Sequence, residues 1–491
     1  MGNLVSYYLF PKDMLYLILS FIEKNRTYPL LFVSKELNLY IKNKNICYNR
    51  NKFMNNIAAE GNLNLMKWTR QHKFILNTET CASAVLSGNL EILKWLNKNN
   101  CPWNWTTCDA AVLNNYFEIL KWIENKGCRW NSYICASAAA TGNFDILKWA
   151  RENGCKWDSY VCTNAAMNGW LRIECVEMYS YHKKVIRDWD NEVDIKPQNY
   201  FEVQDPKVFF EILKWARANG CKWNSETSAA AAFSGNFEML KWLRENGCDW
   251  DAATCANAAL NGHFEILKWA RENGCEWDFN TCGSAIEGNH FEILKWARKN
   301  GCAWHPHTCS RAAGAQHRNL EILKWLRKNG CDWNSWTCAF AANVGNFEML
   351  KWARENGCPW DSTTCSYAAC SGKFEILKWA RENGCGWDAS TCENAARGHF
   401  EILKWARARG CEWNENVCSQ AVISSNDDDD DDDDKCFEIL KWARANGCEW
   451  DSKTIENAFR NDKYEICLWA IKNLCPCPDN IRKHFESRKF I

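Results

Sequence analysis

The residues most able to do chemistry are cysteines, 30 of them, and they recur in a fixed pattern. Many stand seven apart across short connectors, as in Cys248/Cys255, Cys275/Cys282, Cys302/Cys309, Cys358/Cys365 and Cys385/Cys392. A structural zinc site needs four converging ligands and usually shows cysteines two to four apart. That spacing is missing, and a buried thiol otherwise behaves as a small apolar group. Packing at a seam between repeated units is therefore the preferred reading. One connector departs from the rest: Cys302-Ala303-Trp304-His305-Pro306-His307-Thr308-Cys309 gathers two Cys and two His. It is a weak candidate metal site, because Cys302 and Cys309 are ordinary repeat cysteines and Pro306 restrains the loop. Eight consecutive aspartates, Asp427 to Asp434, lack the spaced ligands and glycine turn of an ordered calcium loop and read as a solvated insertion. No nucleophile–base–orienter set, phosphate-binding glycine loop or acid pair recurs. Neither an enzyme nor a cofactor is expected.

The elements that position these residues repeat. Aligning on the Lys-Trp step, which becomes Leu-Trp at Trp469, gives Trp68, Trp95, Trp122, Trp149, Trp215, Trp242, Trp269, Trp296, Trp325, Trp352, Trp379, Trp405, Trp442 and Trp469, mostly 27 apart. Between Trp149 and Trp215, Gly169 to Val176 reads as a worn copy, making fifteen units. Such a unit cannot bury its apolar face alone, so neighbours must stack. In Asp251 to Cys275, Thr254 suits an N-cap, Ala258-Ala259 favours helix, and Gly262 suits a left-handed helix end. Phe264, Ile266, Leu267 and Ala270 then give a second helix a wide apolar face, and Gly274 ends it. Each unit is predicted to be two antiparallel helices, and the chain an all-α solenoid. The tryptophans of the second helices are expected to be mostly buried, forming a ladder.

Composition agrees. Hydrophobic content of 47% excludes general disorder, and 60 basic against 60 acidic residues point to neither nucleic acid nor anionic membrane. No apolar run reaches the ~20 residues of a membrane span. Without a secretory signal pattern, the thiols are expected to be free in a reducing cytosol or nucleus.

The pattern Thr-Cys-x-x-Ala-Ala-x-x-Gly-Asn-Phe-Glu-Ile-Leu-Lys-Trp-Ala-Arg-Glu-Asn-Gly-Cys resembles an ankyrin repeat from about Phe53 to Cys475. Cys255 stands at the ankyrin Pro, Trp269 at a core Leu, and Cys275 at the turn Ala. An ankyrin unit has about 33 residues, so these lack the projecting hairpin. The resemblance is strongest to Trp- and Cys-rich ankyrin-like proteins of giant DNA viruses and some eukaryotic microbes. It implies protein recognition. Without hairpins, variable first-helix positions must carry much of it. The slot two residues after the first-helix Cys holds Asn257, Ser284, Arg311, Phe340, Tyr367 and Asn394. Arg311, Phe340 and Tyr367, in successive units, are the predicted target-binding residues.

Residues 1–48 fall outside the repeat and read as helical. Pro11, Leu15, Ile18, Leu19, Leu31, Val33 and Ser34 follow an order similar to an F-box. That resemblance implies docking on the Skp-type adaptor of a cullin ubiquitin ligase, with the chain as substrate receptor. The alternatives are a binding scaffold with no ligase link and, for the segment itself, a helical cap. Met1-Gly2-Asn3-Leu4-Val5-Ser6 also fits an N-myristoylation pattern at Gly2. A single acyl chain gives only weak membrane association. The expected organisation is residues 1–48 F-box-like, 49–478 solenoid with insertions near 182–207 and 426–436, and 479–491 a capping tail.

Overall fold

A side-chain carboxylate starts six of the first helices among the described residues. In the computed structural model, Asp251 accepts a hydrogen bond from the Ala253 amide at 3.0 Å and opens the helix Ala252–Leu260. Asp158, Asp278, Asp361, Asp388 and Asp451 do the same in their units. The cap thus falls three residues before Thr254, the expected position. Thr254 instead lies inside the first turn, fully buried, its amide donating to the Asp251 carbonyl at 3.0 Å. The structure describes residues 50–71, 74–128, 131–167, 205–305, 307–423, 432–461 and 463–487. The F-box-like segment, Gly2, the worn copy at 169–176, most of the 182–207 insertion, Asp427 to Asp431 and residues 488–491 lie outside the described residues.

Every regular element among the described residues is a helix, and none is long and apolar enough to cross a membrane. The chain divides into two units, Met1–Thr227 and Ser228–Ile491. Within each, short helices alternate as expected. The first helix is followed by a turn glycine such as Gly262 (φ 76°), then by the second helix, here Phe264–Glu272. First helices stack on the first helices of neighbouring units, as Ala252–Leu260 does on Phe279–Glu287. Their Ala and Cys side chains, with the Ile, Leu and Ala of the second helices, form the core: Cys255, Ala258, Ala259, Ile266, Leu267, Ala270 and Cys275 are buried.

Two contacts join successive units. The residue after the turn glycine reaches back to a carbonyl of the preceding unit: Asn143 Nδ2 donates to Val112 O at 3.0 Å, and His263 Nε2 lies 3.1 Å from Phe233 O. The His263 ring lies so close over Gly235 that a Cβ there would come within 2.4 Å of it, so that glycine is required by space as well as by its φ of 73°. Second, Trp269 meets two rings of the preceding unit edge-on, Phe237 at 5.5 Å and Trp250 at 5.6 Å. Trp296 does the same with Phe264 and Trp277. The tryptophans therefore form the expected ladder, but on the flank of the second-helix layer, only partly buried. Cations cover it: Lys268 sits 4.1 Å above Phe264 and Arg271 4.3 Å above Trp277. Arg271 also donates to the Cys275 carbonyl at the end of its helix.

The ladder corrects the unit count. Trp215 takes its rings from Phe144 and Trp157, both at 5.6 Å, so its unit directly follows that of Trp149. The helix Ser159–Ala166 pairs with Pro206–Ala218, and Cys221 Sγ donates to Asp158 O at 3.1 Å as in other units. Residues 168–204 thus fall in the sequence between the two helices of one unit. The smaller insertions fall at the same turn, and the ladder continues past them through Phe291–Trp325 at 5.7 Å and Phe400–Trp442 at 5.6 Å.

Two outcomes test this account. Leu267, fully buried, should lose about 2–5 kcal/mol of stability on Leu267→Ala in a denaturant melt; an unchanged midpoint would remove it from the core. Burial pushes the Asp361 and Asp388 carboxyls up, but the hydroxyls of Thr363 and Ser335, and of Ser390 and Ser362, together with backbone amides, outweigh it and hold both below the usual value. A depressed folded-state pKa contributes stability above the unfolded value of about 3.9 that is lost as pH falls through the folded value. Melting temperature should therefore fall below about pH 4, and less steeply in Asp361→Asn/Asp388→Asn, whose caps do not titrate.

Candidate protein-binding face

The slot two residues after each first-helix cysteine lies where that helix meets the first helix of the preceding unit. Its small polar occupants are engaged there. Asn257 Nδ2 donates to Ala229 O at 3.1 Å, Asn164 to Ala136 O at 3.0 Å, and Asn394 to Ser366 Oγ at 2.7 Å. The slot is thus first a joint between units, which its variability alone does not reveal.

In three successive units the occupant is larger. Arg311, Phe340 and Tyr367 are all partly exposed. Arg311 Nε pairs with Glu287 at 3.1 Å, its guanidinium lying over Gly283, where a Cβ would meet Nη1 at 2.1 Å. Phe340 packs over Gly314, where a Cβ would stand 3.3 Å from its own. Tyr367 meets Phe340 edge-on at 5.8 Å. Trp336, 37% exposed, touches both rings at 5.7 Å and completes a three-ring cluster on the first-helix face. Phe279, also 37% exposed, lies 4.5 Å from the His305 ring in the adjacent connector. Arg311, Phe340 and Tyr367 therefore share one face, and Phe340 and Tyr367 are in contact. Sequence reasoning missed Trp336 and Phe279. Their signal was an aromatic residue within the first two positions after the capping residue, a feature they share with Trp105, Tyr133 and Tyr160.

The chemistry-bearing residues go elsewhere. The cysteines do not pair across the connector. They pair about twenty residues apart within one unit, joining the first helix to the start of the connector that follows the second. Cys81 and Cys101 have Sγ atoms 2.8 Å apart, and Cys108 and Cys128 3.0 Å apart. Cys255 with Cys275, Cys282 with Cys302, and Cys309 with Cys331 hydrogen bond in the same way. The thiol–thiol hydrogen bond, reinforced by burial, pushes Cys255 up, while the same bond holds Cys275 down. The connector candidate is divided by this arrangement: Cys302 belongs with Cys282 and Cys309 with Cys331. His305 Nδ1 accepts from the His307 amide at 3.1 Å, and the two imidazoles lie 5.2 Å apart. Cys302, His305, His307 and Cys309 are not drawn into one cluster, and no group of three metal-ligating side chains occurs among the described residues.

Residues 228–271, which cover most of two helix pairs, match the family model of ankyrin repeats (many copies). No curated protein matches the chain. Among solved structures, the pentatricopeptide repeat protein PPR10 in complex with an 18-nt psaJ RNA element is 12% identical, covers 93% of this chain and 86% of its own, and superposes with a TM-score of 0.28. PPR10 from maize gives 12% identity, 95% and 82% coverage and a TM-score of 0.26. At those scores neither fold nor ligand follows from the likeness. The ankyrin match and the repeated helix pairs together support an ankyrin-like repeat protein of the binding-scaffold type.

Proposed function

We propose that the chain recognises a protein target on the first-helix face around Trp336, Phe340 and Tyr367, and presents it as the substrate receptor of a cullin-type ubiquitin ligase. The observation that supports target binding is the three-ring cluster. Core packing does not need it, since Thr337, Cys338, Ala339, Ala341 and Ala342 of the same helix already fill the interior. Exposed aromatic groups beside a charged pair are the residue types that dominate binding energy at protein interfaces. The ligase link rests on the F-box-like order of Pro11, Leu15, Ile18, Leu19, Leu31, Val33 and Ser34. In that reading, Leu15, Ile18 and Leu19 of a first helical segment, with Leu31 and Val33 of a second, form the apolar surface that meets the Skp-type adaptor.

The test uses the full chain. It should co-purify with the adaptor, and Leu15→Ala/Ile18→Ala should abolish this while leaving helical content unchanged. If the parent chain fails to retain the adaptor, the scaffold reading without a ligase link takes its place. For a target identified by crosslinking, Trp336→Ala/Tyr367→Ala should weaken binding at least about tenfold. Unchanged affinity would move the target to another face.

A further inference from the structure

The intra-unit thiol pairs are more than packing at two places. Burial alone asks for a small apolar side chain, which Ala supplies at many other core positions. In the Cys108/Cys128 pair the two sulfurs lie 3.0 Å apart, and Cys128 Sγ also donates to the Asn104 carbonyl at 3.2 Å. In the Cys81/Cys101 pair the separation is 2.8 Å, with Cys101 Sγ 3.3 Å from Asn77 O. A disulfide bond is about 2.04 Å long, so the sulfurs must close by roughly 1 Å. The two members of each pair differ in access. Cys101 and Cys128 keep 6% and 5% exposure, whereas Cys81 and Cys108 have none. Further along the chain both members are sealed, as Cys255 and Cys275 are.

We propose that Cys81–Cys101 and Cys108–Cys128 are thiol-oxidation sites, each closing a disulfide when a peroxide reaches the outer cysteine. The thiolate of Cys128 attacks one peroxide oxygen. The O–O bond breaks, the sulfur becomes a sulfenic acid, and the departing hydroxide takes up a proton to leave as water. The Cys108 thiol then attacks the sulfenic sulfur. The S–S bond forms, the S–O bond breaks, and a second water leaves with the Cys108 proton. Two thiols and one peroxide give one disulfide and two waters. The hydrogen bond from Cys108, working against burial, holds the Cys128 thiol below its ordinary pKa and favours the attacking thiolate. A resolving thiol in direct contact is what diverts a sulfenic acid to a disulfide before further oxidation. The bond joins the helix Trp105–Leu113 to the connector that follows Phe117–Asn125, stapling one unit shut. Cys101 and Cys81 play the same parts one unit earlier.

The experiment treats the reduced full chain with hydrogen peroxide under native conditions, blocks the remaining thiols by alkylation and maps the crosslinks. Cys81–Cys101 and Cys108–Cys128 should appear roughly tenfold faster than Cys255–Cys275, whose thiols are equally paired but shielded. Equal rates along the chain would overturn the proposal, as would bridges across seven-residue connectors or sulfinic acid without disulfide. In Cys108→Ala, Cys128 should accumulate as a sulfenic acid trapped by dimedone. A folded variant with no adduct at Cys128 would also overturn it. If that variant does not fold, the wild-type map decides alone.

Discussion

Everything in these arrays depends on how one unit grips the one before it. A helix of nine residues is too short to hold in water alone, and the buried side chains of the first helices are mostly Ala, Cys and Thr. The grip comes from the Trp of each second helix, placed edge-on against a Phe and a connector Trp of the preceding unit, as Trp296 is against Phe264 and Trp277. Edge-to-face pairs contribute about 0.5–1.5 kcal/mol each beyond the area they bury. The polar contact beside them, from Asn143 or His263 to a carbonyl one unit back, sets the register. Arg271 ties the two together by stacking on Trp277 while donating to the connector carbonyl of Cys275.

That geometry explains where the chain tolerates change. The connector from Cys275 to Cys282 carries Trp277 for the next unit's ladder and Asp278 for the next helix cap, so adding a residue would displace both. The turn between the two helices carries only the glycine and the residue that reaches back. Insertions of very different length, at 168–204, around Gln316 to Arg318, and at 424–431, all fall there. The ladder contacts made by Trp215, Trp325 and Trp442 are intact beyond each. Loop closure grows only slowly with length, so one side of the array can vary widely while the other is fixed.

The helix pair and the ladder were legible because a repeated sequence shows its period directly. What was not legible depended on which partner a residue finds. Trp269 shares the apolar period of Ile266 and Leu267, but the period cannot tell the inner stripe from the flank, and only Ile266 and Leu267 reach the core. Cys275 is nearer in sequence to Cys282 than to Cys255, yet the helix pair brings its thiol to Cys255. Thr254 has the residue type of a cap but not its place, because Asp251 reaches the free amides first. Gly169 to Val176 looked like a unit because it keeps the period, whereas the rings around Trp215 show that the stack closes without it.

The candidate face follows from the same joint between units. A slot residue that hydrogen bonds to the preceding first helix, as Asn257 and Asn394 do, has its polar group engaged before any partner arrives. Arg311 and Phe340 are too large for that gap and are accommodated by Gly283 and Gly314 in the preceding helices. Glycine inside a helix costs about 1 kcal/mol relative to Ala, and neighbouring units use Ala256, Ala339 or Ser366 where Gly283 stands. The first helix before Arg311 therefore gives up stability at Gly283 to make room for the guanidinium. Stacking between units does not call for that exchange, since the Asn-bearing units stack without it. The exchange supports the proposed partner contact across Arg311, Trp336, Phe340 and Tyr367.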